Sequence, residues 1–466
     1  MSVRISLLLC GLLTVATAVF AADKAPSGDV FPYRVSEYTL ANGLKVVVIP
    51  YDSPGTVAYY TVVRTGSRDE VEAGHSGFAH FFEHMMFRGT DKYSGDKYND
   101  LLKKMGADSN ASTADDVTIY HIVGPASELA TMMDMESDRF KNLKYGEDAF
   151  RTESLAVLGE YNKGVSNPVQ PMFEKLRDLA YEKHTYKHTT IGFVADIKAM
   201  PGYYDYSRQF FNRFYRPENV VVVVVGDVEP QKVATMAKQY YSDWKPGYKA
   251  ADIVPEPPQK APKKAHLDWP NPTRPYMLVG YHTPAFSTKT VDSAALGMIG
   301  DLLFSESAPL YQELVVDKQW VDFVQGGPSD NRDPNQFIIF ARVKSEDLVP
   351  KVKETIDRYI KQLATEPIDP KRLERSKSHQ RYAFALGLDT PGNVAAQVAE
   401  IIGLTGDVKD LNLRYAQYDK VTSADVQRLA RATFRPENET EVTLSHPAAQ
   451  EKPAAGQGSQ GGASHE

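Results

Sequence analysis

Apolar positions recur along this chain with spacings that change from strand-like to helical and back. Residues 38–40 and 44–49 are β-rich runs on either side of Asn42-Gly43, a dipeptide suited to a tight turn, and they predict a β-hairpin. A further β-rich run covers 56–64. Residues 75–88 then predict a helix, free of Gly and Pro from Ala79 to Arg88. Residues 117–123 alternate as a strand does, and 127–140 and 148–163 read as helices. Six consecutive valines, 220–225, mark a strand buried on both faces. Strands and helices mixed in this order predict an α+β fold.

The pattern breaks after residue 247. Pro255, Pro257, Pro258, Pro262 and Pro270, interspersed with Lys260, Lys263 and Lys264, predict an extended linker over 248–272. A second mixed segment covers 273–446, and 447–466 is an Ala/Gly/Gln/Ser-rich tail expected to be disordered. Tyr215-Arg216-Pro217-Glu218-Asn219 follows a helical stretch and leads into the valine strand. Phe434-Arg435-Pro436-Glu437-Asn438 does the same ahead of 441–444. The same punctuation at the end of two segments of similar size predicts two homologous lobes, 22–247 and 273–446.

Composition narrows the class. The chain has 466 residues, 42% hydrophobic and 11% aromatic, enough to build sizeable cores. Its formal charge of −7 comes without any dominant Lys/Arg cluster, so nothing proposes nucleic acid as a partner. Arg4, the apolar run 5–20 and the small residues Val19 and Ala21 read as a signal peptide, residues 1–21, removed after Ala21. The run is shorter than the ~20 residues of a spanning helix, so no stable membrane anchor is expected. The only cysteine, Cys10, lies inside that segment. The mature chain then forms no disulfide, and any metal site must use His, Asp and Glu. An exported chain without cysteine suits the periplasm of a Gram-negative-type bacterium.

The sharpest chemical signal is His80-Phe81-Phe82-Glu83-His84. On a helix, residues four apart share a face, so the two imidazoles can converge on one ion. Glu83 projects beside the same point, within reach of a water there. Histidines four apart are also common on solvated helices, and His184/His188, with no acid between them, read as structural. Phe81, Phe82, Met85, Met86 and Phe87 instead make the first helix largely buried, where polar side chains need partners. A catalytic zinc site normally has three protein ligands and one open position. Glu153 and Glu160, seven apart on the 148–163 helix, share a face: one could ligate and the other hold a histidine. A solvated acidic stripe explains that spacing equally well.

The run Gly77-Phe78-Ala79-His80-Phe81-Phe82-Glu83-His84-Met85-Met86-Phe87-Arg88-Gly89-Thr90 closely resembles the signature of the pitrilysin/insulinase family of inverted-motif zinc metallopeptidases. Asn110-Ala111-Ser112-Thr113 with Thr118 and Tyr120 resembles that family's substrate-pairing strand, and 184–192 resembles a stretch of its shorter bacterial members. The resemblance implies that Glu160, 76 residues after His84, is the third ligand of one Zn2+ per chain and that Glu153 supports the site. It implies Glu83 as general base and Asn110 and Ala111 in contact with peptide substrates. It also implies two α+β lobes, each a mostly antiparallel sheet packed with helices, and pairs of chains, like or unlike, that enclose a chamber. Cobalt or manganese could occupy the same ligands.

One departure stands out. Active members carry an arginine, and a tyrosine seven residues later, in the lobe facing the zinc. Val315 and Asp322 fall at those positions here, and Arg381-Tyr382 reads as a helix surface. The expectation is therefore a zinc endopeptidase subunit paired with a related chain that supplies the missing pair. A homodimer and a non-catalytic, peptide-binding chamber subunit are the alternatives.

Overall fold

The computed structural model describes residues 30–447. The predicted signal peptide 1–21, with Cys10, and the tail after Pro447 lie outside the described residues. Among the described residues eleven strands build two sheets. The first contains β1 (Ser36–Thr39), β2 (Lys45–Pro50), β3 (Thr56–Val63), β4 (Asp108–Thr113), β5 (Thr118–Pro125) and β6 (Val220–Gly226) in the order β1-β2-β6-β3-β5-β4. The second contains β7 (Lys263–Asp268), β8 (Tyr276–His282), β9 (Val321–Pro328), β10 (Gln336–Val343) and β11 (Glu439–Ser445) in the order β7-β11-β8-β10-β9.

The two orders are one topology. β2 runs parallel to β6 as β7 does to β11, and every other pairing is antiparallel. The repeated Arg-Pro-Glu-Asn punctuation acts alike in both lobes. Asn219 donates to the carbonyl of Phe214, the last residue of the preceding helix, at 3.0 Å, and to Thr65 Oγ1 at 2.8 Å. Asn438 donates to the carbonyl of Thr433, again the last helical residue, at 2.7 Å, and to the His282 carbonyl at 3.0 Å. Each asparagine satisfies a carbonyl that the helix end leaves open, and turns the chain into a central strand.

All seven residues of β6 are buried, as the valine run predicts, because each face of the sheet carries a helical layer. One layer is local: Phe78, Phe81, Phe82, Met132, Phe140, Phe150 and Phe210 pack with Val222 and Val224. The other comes from the second half of the chain. Val394, Ala395, Val398 and Ile402 of the Pro391–Thr405 helix cover Val47, Val62, Val221 and Val223. The exchange is reciprocal, since Met172 and Leu176 of the Val169–Ala180 helix pack on Leu278, Phe340, Val442 and Leu444 of the second sheet. Each lobe thus buries a face of its sheet under a helix lent by the other. At ~25 cal/mol per Å² of apolar surface this couples the lobes strongly.

One sequence boundary is corrected. Lys263–Asp268, expected within the linker, is strand β7, paired in parallel with Thr440–Ser445. Its burial alternates along the strand, a period-2 signal obscured in the sequence by the surrounding prolines and lysines.

Candidate metal centre

The Phe78–Met85 helix buries Phe78, Ala79, Phe81, Phe82 and Met85 and turns His80, Glu83 and His84 to the other side. The chain enters it through Gly77 at φ 93°, and a Cβ there would lie 2.5 Å from the Ile191 carbonyl oxygen. Only glycine accommodates both the left-handed backbone and that approach. The 184–192 stretch therefore serves as a wall behind the helix start. Glu70 completes the entry: Oε2 accepts from the Gly77 N–H at 2.7 Å and Oε1 from the Ala79 N–H at 2.6 Å. Burial pushes its carboxyl up to about 8 against the pull of those two bonds. Two donors, one on each oxygen, at the positive end of a helix offset part of that burial cost.

The Glu147–Gly164 helix brings both predicted glutamates to this face. Glu160 Oε2 lies 3.3 Å from Nε2 of His80 and 3.3 Å from Nε2 of His84. One donor atom from each of the three residues falls within 4.8 Å of the other two. Glu153 is nearly enclosed; its Oε1 lies 3.0 Å from His84 Nδ1, and its Oε2 pairs with Arg88. That contact puts the imidazole proton on Nδ1 and frees the Nε2 lone pair for an ion. Two imidazole nitrogens and a carboxylate oxygen converging on one point fit zinc with a fourth position open.

Glu83 sits beside this cluster. Its Oε2 lies 3.5 Å from His80 Nδ1 and accepts from Thr113 Oγ1 at 2.5 Å. Burial disfavours its charge, but His80 and Thr113 hold the carboxyl below its ordinary range. Glu160 is lowered chiefly by its bond to His80, and Glu153 by His84 and Arg88 against burial. Burial opposes protonation of His80, yet Glu160 and Glu83 outweigh it and push its pKa up to about 9. Three carboxylates around two imidazoles thus attract positive charge, which a dication satisfies as a proton does.

Asn110 and Ala111 lie on β4, the outer strand of the first sheet, whose last residue is Thr113. His184 and His188 stand apart from the cluster. His184 Nε2 meets Asp333 at 3.0 Å, and His188 is buried 3.8 Å from Glu70. Val315 is half-buried in the Gln312–Asp317 turn, and Asp322 on β9 is paired with Arg274 and lies 3.6 Å from Arg342. Arg381 and Tyr382 lie on the surface of the Pro370–Leu386 helix. Sequence reasoning missed Glu70 and Arg88, whose partners are set by the tertiary fold. Thr113 carried a signal in its place at the end of the Asn110–Thr113 run.

The family model described as Insulinase (Peptidase family M16) matches residues 46–193, and the one described as Peptidase M16 inactive domain matches 204–379. The zinc protease PqqE of Helicobacter pylori is 28% identical over 452 residues, 93% of this chain and 96% of that protein. The crystal structure of a protease from Helicobacter pylori superposes with a TM-score of 0.83 at 27% identity, covering 89% of this chain and 99% of that one. The first half of the periplasmic protease PqqL from Escherichia coli, at 18% identity, shares the fold with a TM-score of 0.71 over 89% of this chain and 92% of that one. No helix among the described residues is long and apolar enough to cross a membrane. With both of its halves matched and its two sheets repeating one topology, the chain belongs to the insulinase family of peptidases, family M16.

Proposed function

We propose that this chain is a zinc-dependent endopeptidase that cleaves peptides or unfolded polypeptide segments, with one ion held by His80, His84 and Glu160. The observation that carries the reading is the convergence of those three donors within 4.8 Å, with Glu83 at their side and Glu153 behind His84. When bound, zinc supplies Lewis acidity, which makes water nucleophilic near neutral pH and polarises a carbonyl. Glu83 takes the proton of the attacking water and returns it to the leaving amine. Glu153 fixes the tautomer and orientation of His84. Asn110 and Ala111 on the outer strand β4 offer main-chain groups to an extended peptide, which adds to the sheet edge with loose sequence preference.

With Val315 and Asp322 where an arginine and a tyrosine would serve, the chain works as the zinc-bearing subunit of a heterodimer whose related partner supplies that pair and closes the chamber. The periplasm is the proposed location, supported by the N-terminal pattern and by the description of the Escherichia coli relative as periplasmic. A second reading, a non-catalytic chamber subunit that keeps zinc for stability, draws on the engagement of Asp322 with Arg274 and Arg342. Hydrolysis of a mixed fluorogenic peptide set, compared between the wild-type chain and Glu83→Gln at equal zinc content, separates the two. Turnover lost in the variant supports the peptidase; a zinc-loaded native assembly that cleaves nothing supports the chamber subunit.

A further inference from the structure

We infer that Thr113 is a positioning residue for Glu83, and that the β4–β5 turn, gripped by both lobes, is what holds it there. The inference rests on the peptidase reading only for its kinetic consequence; its structural content stands without it. Among the described residues Glu83 has two polar partners, and both meet the same oxygen, Oε2: Thr113 Oγ1 at 2.5 Å and His80 Nδ1 at 3.5 Å. The terminal torsion of a glutamate is broad, so nothing intrinsic to the side chain fixes the plane of its carboxylate. The longer contact to His80 is a weak constraint. The short bond from Thr113 ties down Oε2 and leaves Oε1 as the oxygen that can take and return a proton.

Thr113 can do this because its own place is fixed. It ends β4 in register with Thr118, and the Ala114–Val117 turn that follows is closed by the Ala114 N–H to the Val117 carbonyl at 2.8 Å. Both turn aspartates are buried. Asp115 accepts two bonds from Arg177 of the first lobe, at 2.7 and 2.9 Å, and one from Ser67 at 3.2 Å. Asp116 accepts from the Asn331 side chain at 2.8 Å and the Arg332 N–H at 2.9 Å, both in the β9–β10 connection of the second lobe, and from Tyr186 at 2.7 Å. The Arg68 N–H donates to the Asp115 carbonyl at 2.8 Å, two residues before Glu70, which caps the helix that carries Glu83. Threonine and carboxylate therefore sit on opposite ends of one buried polar frame. Through that frame the second lobe, despite Val315 and Asp322, contributes to the geometry beside the zinc ligands.

The test uses the full mature chain with its native partner subunits and compares Thr113→Val, which keeps the shape and removes the donor, with Thr113→Ser, which keeps the donor. Crystal structures of the zinc-loaded forms come first. The expected result is a single Glu83 orientation in the wild type and T113S, and a rotated or split carboxylate in T113V, with zinc content equal in all three. Glu83 unchanged in T113V overturns the inference, whatever the activity. On fluorogenic peptides kcat should fall roughly ten-fold in T113V with KM within about two-fold, and T113S should recover most of the loss. A KM effect alone, or a T113S variant as slow as T113V, also overturns it. Glu83→Gln measured alongside reports separately on the peptidase reading: turnover that survives in E83Q removes that reading and leaves the crystallographic comparison decisive for Thr113.

Discussion

Glu153→Ala is the substitution that most cleanly separates a supported metal site from an accidental cluster of acids. The side chain is 6% exposed and divides its two oxygens between His84 Nδ1, at 3.0 Å, and Arg88. Truncation leaves the His84 N–H without its acceptor and releases the ring to turn. Arg88, 46% exposed, can move into solvent, so its loss of a partner costs little. The effect should therefore concentrate on metal affinity rather than on stability of the metal-free chain. Removing such a support typically weakens binding 10- to 100-fold, about 1.4–2.8 kcal/mol. Glu153→Gln retains a carbonyl oxygen that can accept from Nδ1, so it should fall within roughly three-fold of wild type. Competition titration of zinc against a chromophoric chelator at fixed pH measures both. An E153A variant that binds zinc as tightly as wild type, or an E153Q variant as weak as E153A, would refute the reasoning that the carboxylate acts by fixing His84.

Other outcomes follow from the frame around the site. Gly77→Ala combines left-handed strain with a Cβ 2.5 Å from the Ile191 carbonyl, and should cost about 2–4 kcal/mol in urea unfolding and lower zinc affinity with it. Asn219→Ala and Asn438→Ala each remove two bonds from equivalent turns and should destabilise by similar amounts, about 1–3 kcal/mol; a several-fold disparity would contradict the equivalence of the two turns. Burial alone would raise Asp333, but His184 and Arg68 hold its carboxyl far below the ordinary range. A depressed folded pKa contributes stability that is present above the unfolded value of about 4 and lost as pH falls below it. The urea midpoint of Asp333→Asn should thus trail wild type at pH 6, and the gap should begin to narrow only as pH falls below about 4. Chelation of zinc should lower the melting temperature of wild type and Glu83→Gln equally, because Glu83 is not among the three converging donors.

The parts of this molecule that were legible in the sequence are those whose physical cause is local. The turn between β1 and β2, the all-buried β6 and the helical spacing of His80, Glu83 and His84 each follow from neighbouring residues. The paired Arg-Pro-Glu-Asn runs announced a duplication because each ends a helix and starts a central strand within a few residues. Spacing left Glu153 and Glu160 balanced between a stripe of surface acids and a site; only the packing of their helix beside Phe78–Met85 brings both to the histidines. Strand β7 was hidden because its partner, β11, lies more than 170 residues away and the intervening prolines dominate the local pattern. The exchange of covering helices between lobes is invisible for the same reason. Pro391–Thr405 reads as an apolar helix without any sign of whose sheet it covers. Glu70 is an ordinary residue in sequence and acquires its role from a helix end that the fold delivers to it, whereas Thr113 stood within the Asn110–Thr113 run but gave no sign that it would meet Glu83.

The measurement that tests the central claim most directly is peptide hydrolysis by the native zinc-loaded assembly carrying either wild-type chain or Glu83→Gln, with zinc content determined in the same samples. The account predicts cleavage by the wild type and at least a hundred-fold loss in E83Q at unchanged zinc occupancy, a scale of about 10² for removing a general base. Equal hydrolysis by the two, at equal zinc, would contradict it.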